Sequence, residues 1–228
     1  MRGPAGCDML QPGPEPASRL EGPGVSAIAT AGDPAPCAAA VTPGNFHVDP
    51  GPAEPCPMHP SALPLAAILR LDTELLLNCV EGVSEDEARR AVAPGTNHVA
   101  FLVAHLVESR HLLAAELGAP LPSPLTPYLE GRRGIAEVAD LPRLATLVAA
   151  WEAVSAHLAV LVERLDTAQL AQPARRLPGS DGTLLGALAF LAQHDAYHVG
   201  QLALLRRQLG HPAMSYAMRP REPGRAGA

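Results

Sequence analysis

Apolar residues recur every three or four positions through four long stretches of this chain, and segments rich in proline and glycine separate them. The first stretch runs from Ser61 to Val80, with Leu65, Ile68, Leu69, Leu71/Asp72, Leu75, Leu76 and Cys79 on one broad face. Pro64 suits its first turn and Gly82 its stop. Ser84-Glu85-Asp86-Glu87 then reads as a capping box opening a short helix to about Val92. Thr96 or Asn97 caps the second long helix, which reaches about Leu117 before Gly118 and Pro120. Leu141 to Leu165 makes the third, with Leu144, Leu147, Val148, Trp151, Val154, Leu158, Leu161 and Leu165 inward. Thr183 caps the fourth, which ends at Gly210-His211-Pro212.

Between the second and third helices lies a connection from Leu121 to Asp140, longer than a simple turn needs. Extended chain covers about 3.3 Å per residue, enough for this segment to travel the length of a bundle. The second and third helices would then run parallel, giving an all-α, up-down-down-up four-helix bundle with a long crossover. A short helical piece near Ile135–Val138 fits within it.

Composition sharpens the domain picture. Residues 1–64 hold 14 of the 25 prolines, and no helical or strand period persists there. We therefore expect a disordered arm over 1–60, a bundle over 61–212 and an unstructured tail over 213–228. Aromatic residues are only 3% of the chain, which suits aliphatic helices.

A net charge near −6 with scattered arginine pairs argues against a nucleic-acid partner. Arg132-Arg133, Arg175-Arg176 and Arg206-Arg207 read as solvated ends or loops. No apolar stretch approaches the roughly 20 residues that span a bilayer, and no signal-peptide core is seen, so a cytoplasmic protein without a membrane partner is expected. Cys7, Cys37, Cys56 and Cys79 have no disulfide-framework spacing, and Cys79 reads as a small buried hydrophobe.

The chemistry concentrates on histidine. His194 and His198 stand one turn apart on the apolar side of the fourth helix, beside Leu188, Leu191, Leu202 and Leu205. Such a pair is half a metal site, or simply two polar groups hydrogen-bonded in a helix interface. His105 sits mid-helix among the apolar residues of the second stretch. Convergence of His105, His194 and His198 on one ion would explain three buried imidazoles together, leaving a fourth position open. Glu108, one turn after His105, is a candidate ligand or outer partner. Asp195 and Tyr197 are placed on the flanks. Gln201 could hold a ligand or a bound water, and Gly200 would let another helix approach closely. Trp151 reads as core, His157 as a boundary residue, and His211 as a helix-end residue near the negative pole of the dipole.

The run Asn97-His98-Val99-Ala100-Phe101-Leu102-Val103-Ala104-His105-Leu106, together with His194-x-x-x-His198-x-Gly200-Gln201, resembles the DinB/YfiT-like family over about Leu63 to Pro212. The resemblance implies a four-helix bundle holding a divalent metal by one histidine of the second helix and two of the fourth. His105, His194 and His198 then stand at the ligand positions. His98 departs from the small residue usual after the Asn and reads as a group near the metal or a residue of the N-terminal turn.

Relatives of this kind include mycothiol- or bacillithiol-dependent transferases and a maleylpyruvate isomerase. The resemblance thus implies an S-transferase using a small-molecule thiol and an electrophilic substrate, with Zn at the site, and Ni, Fe or Cu also acceptable to three imidazoles. A hydrolase in which the ion activates water, with Asp195 or Glu108 as base, is the second reading. A non-catalytic metal- or ligand-binding bundle is the third. Whether the chain is catalytic, and whether it forms a homodimer, stays open at this point.

Overall fold

A computed structural model describes residues 58–132 and 134–218. The expected disordered arm, apart from its last residues, lies outside the described residues, as do Cys7, Cys37, Cys56 and the end of the tail.

Four long helices form the bundle: α1 (Leu63–Val80), α3 (Val99–Glu116), α5 (Leu144–Val162) and α7 (Leu184–Gln208). Three single-turn helices lie between them: α2 (Glu85–Ala88), α4 (Thr126–Leu129) and α6 (Thr167–Leu170). No strand occurs among the described residues, which hold one isolated antiparallel bridge, Pro173 to Thr183.

Local chemistry sets most boundaries. Pro64 occupies the first turn of α1, and Gly82 follows its end with φ +74°. The Ser84–Glu87 capping box is present in both directions, although α2 stops at Ala88 rather than near Val92. Thr183 Oγ1 accepts from the Gly186 amide and starts α7, while Gly210, at φ +96°, lies just past its end. The cap of α3 is neither Thr96 nor Asn97. His98 takes that position, and its Nδ1 accepts from the Phe101 amide at 3.1 Å. His98 is thus a helix-start residue. A second capping box, Asp166 with Gln169, opens α6 in a stretch where the periodic pattern predicts nothing.

The expected connectivity is realised. Leu75–Val80, Val99–Val107, Leu141–Trp151 and Val199–Leu205 share one apolar cluster. Leu69, Leu113, Val154–Val162 and Leu184–Ala192 share the other. The long helices α3 and α5 therefore run from the first cluster to the second, and α1 and α7 run oppositely, which is up-down-down-up. The crossover between α3 and α5 carries α4 and a 3₁₀ turn, Ile135–Glu137, with Leu125 and Ile135 buried in the first cluster.

Two expectations fail here. The helix α5 is, by length and composition, apolar enough to cross a membrane. Alanines make up most of its outward side and Glu152 is its only formal charge. One such helix is a weak sign of a span, because a bundle's core helix passes the same test. Arg206 is not a solvated end: it is buried and donates to the carbonyls of Cys79, Glu81 and Pro212. The last carbonyls of α1 lack helical donors and Arg206 supplies them. Residues 213–218 have no regular structure, and Ser215 and Ala217 give their carbonyls to Asn78 Nδ2 at 2.7 and 3.0 Å, which fastens this segment to α1.

Candidate metal centre

Between the two apolar clusters the core changes character. Of the ten buried polar or charged residues among those described, eight lie at this waist: Asp72, His105, Ser109, Arg110, Ser155, His194, Asp195 and His198. All four long helices contribute. A polar layer across a bundle is costly unless its members satisfy one another, so the partners of each group matter.

The α3/α7 side of the layer holds the imidazoles. His105 Nε2 and His194 Nε2 stand 2.9 Å apart. His198 joins them, with ring centroids 4.8 Å from His105 and 4.5 Å from His194. One ligand atom from each of the three lies within 4.8 Å of the other two. His198 Nδ1 meets Gln201 Oε1 at 2.7 Å, and the amide oxygen can only accept, so Nδ1 carries the proton. His198 Nε2 is then a lone pair that is buried and without a hydrogen-bond partner.

That orphaned acceptor is the observation that fits a cation. Zinc takes imidazole nitrogens in a roughly tetrahedral set, and three imidazoles meeting within a few ångströms supply that donor chemistry. Burial, reinforced by the neighbouring imidazoles, pushes His105 down to about 3, and burial lowers His198 as well. Neutral imidazoles at ordinary pH are what metal ligation requires.

Around the trio stand aromatic rings. Phe101 stacks on His105 at 6.3 Å, Phe190 on His194 at 5.9 Å, and Tyr197 meets His198 edge-on at 5.0 Å. The chain has only seven aromatic residues, and three of them gather here. In a composition so poor in rings, Phe101, four residues before His105, and Phe190, four before His194, were a legible signal that helical periodicity alone passes over.

The remaining expectations divide. Gln201 does sit at the site, where it accepts from His198 and donates to Tyr197 Oη at 3.2 Å. The bond to His198 leaves its carbonyl oxygen committed. Glu108 is half-buried and outside the three-histidine group. The flank of α7 on which Asp195 stands faces the core. Asp195 is fully buried and its Oδ2 accepts from Arg110 Nε at 2.8 Å. Gly200 admits no other helix, for a Cβ there would meet nothing within 4 Å. His157 is half-buried with Nε2 2.8 Å from the Ala119 carbonyl, and His211 Nε2 lies 3.3 Å from Glu87 Oε1.

Periodicity missed Arg110, the centre of the layer's other half. Its NH1 donates to Thr73 Oγ1 and Ser155 Oγ, its NH2 to the Leu69 carbonyl, and its guanidinium lies 3.6 Å from the centre of the Trp151 ring. A cavity of about 730 Å³ opens between α1 and α5, with Thr73, Arg110 and Ser155 among its lining residues. It lies across the bundle from the histidines.

Asp72 belongs to this half too. Burial first, and then the charge of Asp195, push its carboxyl up to about 7 against the pull of Arg110. An acid raised this way binds more protons folded than unfolded between pH 3.8 and about 7, so folding weakens as pH rises through that window. His105 acts in the opposite sense: the unfolded chain takes up a proton below about 6.5 and the folded imidazole only near 3, so folding weakens as pH falls through that window. Comparison of wild type with Asp72→Asn cancels the histidine. Metal-free Asp72→Asn should be more stable than wild type at pH 8 by about 1–3 kcal/mol, with the difference shrinking towards pH 4. Urea midpoints at both pH values would show it, and a pH-independent difference would refute the assignment.

An antiparallel-and-parallel four-helix bundle with three imidazoles meeting at its waist is a metal-binding bundle of the three-histidine class. The family profile of the DinB superfamily matches residues 68–202, more than half of the chain, and the chain belongs to that superfamily. No curated protein matches it. Family and geometry together make this a metal-binding protein of the DinB kind.

Proposed function

We propose that His105, His194 and His198 hold a divalent ion, zinc by preference, and that the protein transfers a low-molecular-weight thiol to a small electrophile. The observation that carries this reading is the unpartnered Nε2 of His198, grouped with two other imidazoles and with no cysteine beside them among the described residues. A bound divalent ion supplies stabilisation of the thiolate over the thiol at neutral pH.

The protein's own residues define what else is needed. Cys79 cannot serve as nucleophile. Its thiol is buried against the Val199 carbonyl and Met214 Sδ, and burial pushes it up to about 11. With no other cysteine among the described residues, the sulfur in this reading arrives with a cosubstrate. Its attack forms a carbon–sulfur bond, the leaving group departs with its electron pair, and the thiol proton passes to solvent. Phe101, Phe190 and Tyr197 favour an apolar electrophile. Asp195 is bound to Arg110 within the core, which disfavours it as a base for water and so disfavours the hydrolase reading. The cytoplasm, where small thiols stay reduced, is the compartment this function implies, with no nucleic-acid or membrane partner and a homodimer compatible.

Exposures of 6, 4 and 1% for His105, His194 and His198 favour a second reading, a bundle that binds metal without catalysis. Zinc-loaded protein incubated with mycothiol or bacillithiol and chlorodinitrobenzene separates them. The transferase consumes the electrophile only with thiol and metal present, and His105→Ala abolishes the rate. Ester cleavage without thiol would favour hydrolysis, and no turnover by a metal-loaded protein would leave the binding bundle.

A further inference from the structure

The proton on His194 poses a problem that the three-histidine arrangement does not solve by itself. His194 turns Nε2 towards His105. When that nitrogen gives its lone pair to a metal, Nδ1 must carry the proton and needs an acceptor. Nδ1 is buried and has no hydrogen-bond partner. Asp195 Oδ1 lies 3.7 Å away, also buried and also without a partner. A donor and an acceptor thus face each other across a gap slightly longer than a hydrogen bond.

We infer that Asp195, clamped by Arg110, is the positioning residue that fixes His194 for the metal, and that ion binding closes the Nδ1–Oδ1 contact. This rests on the reading of His105, His194 and His198 as a metal centre.

The clamp explains why a carboxylate is tolerated at this depth. Arg110 cannot follow Asp195 if the carboxylate moves, because Thr73, Ser155, the Leu69 carbonyl and the Trp151 ring hold its guanidinium. Residues of α1, α3 and α5 therefore set the direction of one oxygen on α7. Asp195 offers Oδ2 to that framework and leaves Oδ1 for His194. The displacement required is small. Two Nε2 atoms at 2.9 Å must separate to admit an ion, and a ring shift under about 1 Å brings Nδ1 within hydrogen-bond range of Oδ1. The two histidines of α7 then have different outer partners: His198 has the neutral amide of Gln201, and His194 has a carboxylate, which raises ligand basicity.

Wild-type full-length chain, labelled with ¹⁵N at histidine, tests this without altering the fold. One equivalent of Zn²⁺ should slow exchange of the His194 Nδ1 proton and move its resonance downfield. In chelator competition, Asp195→Asn should bind Zn²⁺ about 10–100-fold more weakly, while Asp195→Glu recovers part of the loss. A structural role alone would lower the unfolding temperature of the metal-free protein and leave affinity of the folded fraction untouched. If Asp195→Asn does not fold, the wild-type exchange measurement decides. Bound zinc with a fast-exchanging His194 Nδ1 proton, or affinity of folded Asp195→Asn within about threefold of wild type, overturns the inference and leaves the metal centre standing. Failure of the wild type to bind zinc overturns the metal centre, and this inference with it.

Discussion

The full-length chain should purify with, or accept on reconstitution, about one zinc per chain, and the His194→Ala/His198→Ala double variant should hold none. The double change removes two of the three nitrogens of the group, both from one helix, and leaves only His105. Chelation by three imidazoles depends on all of them being held in register, so the loss is far larger than for one rim contact.

Folding stability reports the same event. An ion present at 100 times its dissociation constant stabilises the folded state by about 2.7 kcal/mol. For a chain of this size that raises the unfolding temperature by roughly 5–11 °C. Wild type should show this shift on adding zinc and the double variant should not. Elemental analysis and a thermal scan with and without chelator are sufficient. Equal metal content in both proteins would place any ion elsewhere, and none in either would leave the histidines as interface groups.

Much of this architecture was readable in the chain because its signals are local. The apolar stripe of each long helix, the capping box at Ser84–Glu87, the Thr183 cap and the glycines after α1, α3 and α7 act within a few residues. The crossover followed from reach alone. The histidines were legible because a polar residue in the middle of an apolar stripe needs a reason, and three needed one in common.

What escaped depends on groups far apart in sequence. A helical wheel gives the direction of Asp195 from its own helix axis but not which neighbours cover that direction. The helix α7 packs against both α1 and α3, so a residue on its flank is still inside. Arg110 finds Asp195 after 85 positions and Thr73 after 37, and no window along the chain links them. Arg206 was read as solvated because the carbonyls of Cys79 and Glu81 that need it lie more than 120 residues earlier. The Asp166–Gln169 box was different: its signal was local and the periodic reading passed over it.

Arg110→Met should cost about 3–5 kcal/mol of stability in the metal-free protein, a fall of roughly 6–20 °C in unfolding temperature. The loss would come less from the missing attraction than from what is left behind. Asp195 would keep a buried carboxylate with Oδ1 already unpartnered and Oδ2 newly so. Thr73, Ser155 and the Leu69 carbonyl would also lose their donor.

The double variant Arg110→Met/Asp195→Leu removes both charges from the same volume. It should recover most of the stability, and apolar replacement of a buried pair is often neutral or better. A coupling of about 0.5–3 kcal/mol in the double-mutant cycle is the expected result, measured by urea unfolding in chelator. Strict additivity would mean that the two charges do not depend on one another. Zinc affinity in the double variant carries the deciding information. If stability returns while affinity stays low, the ion pair is present at the waist for the histidines it orients rather than for the fold. An apolar waist would then be the more stable bundle, and the polar layer the feature that makes the bundle a metal site.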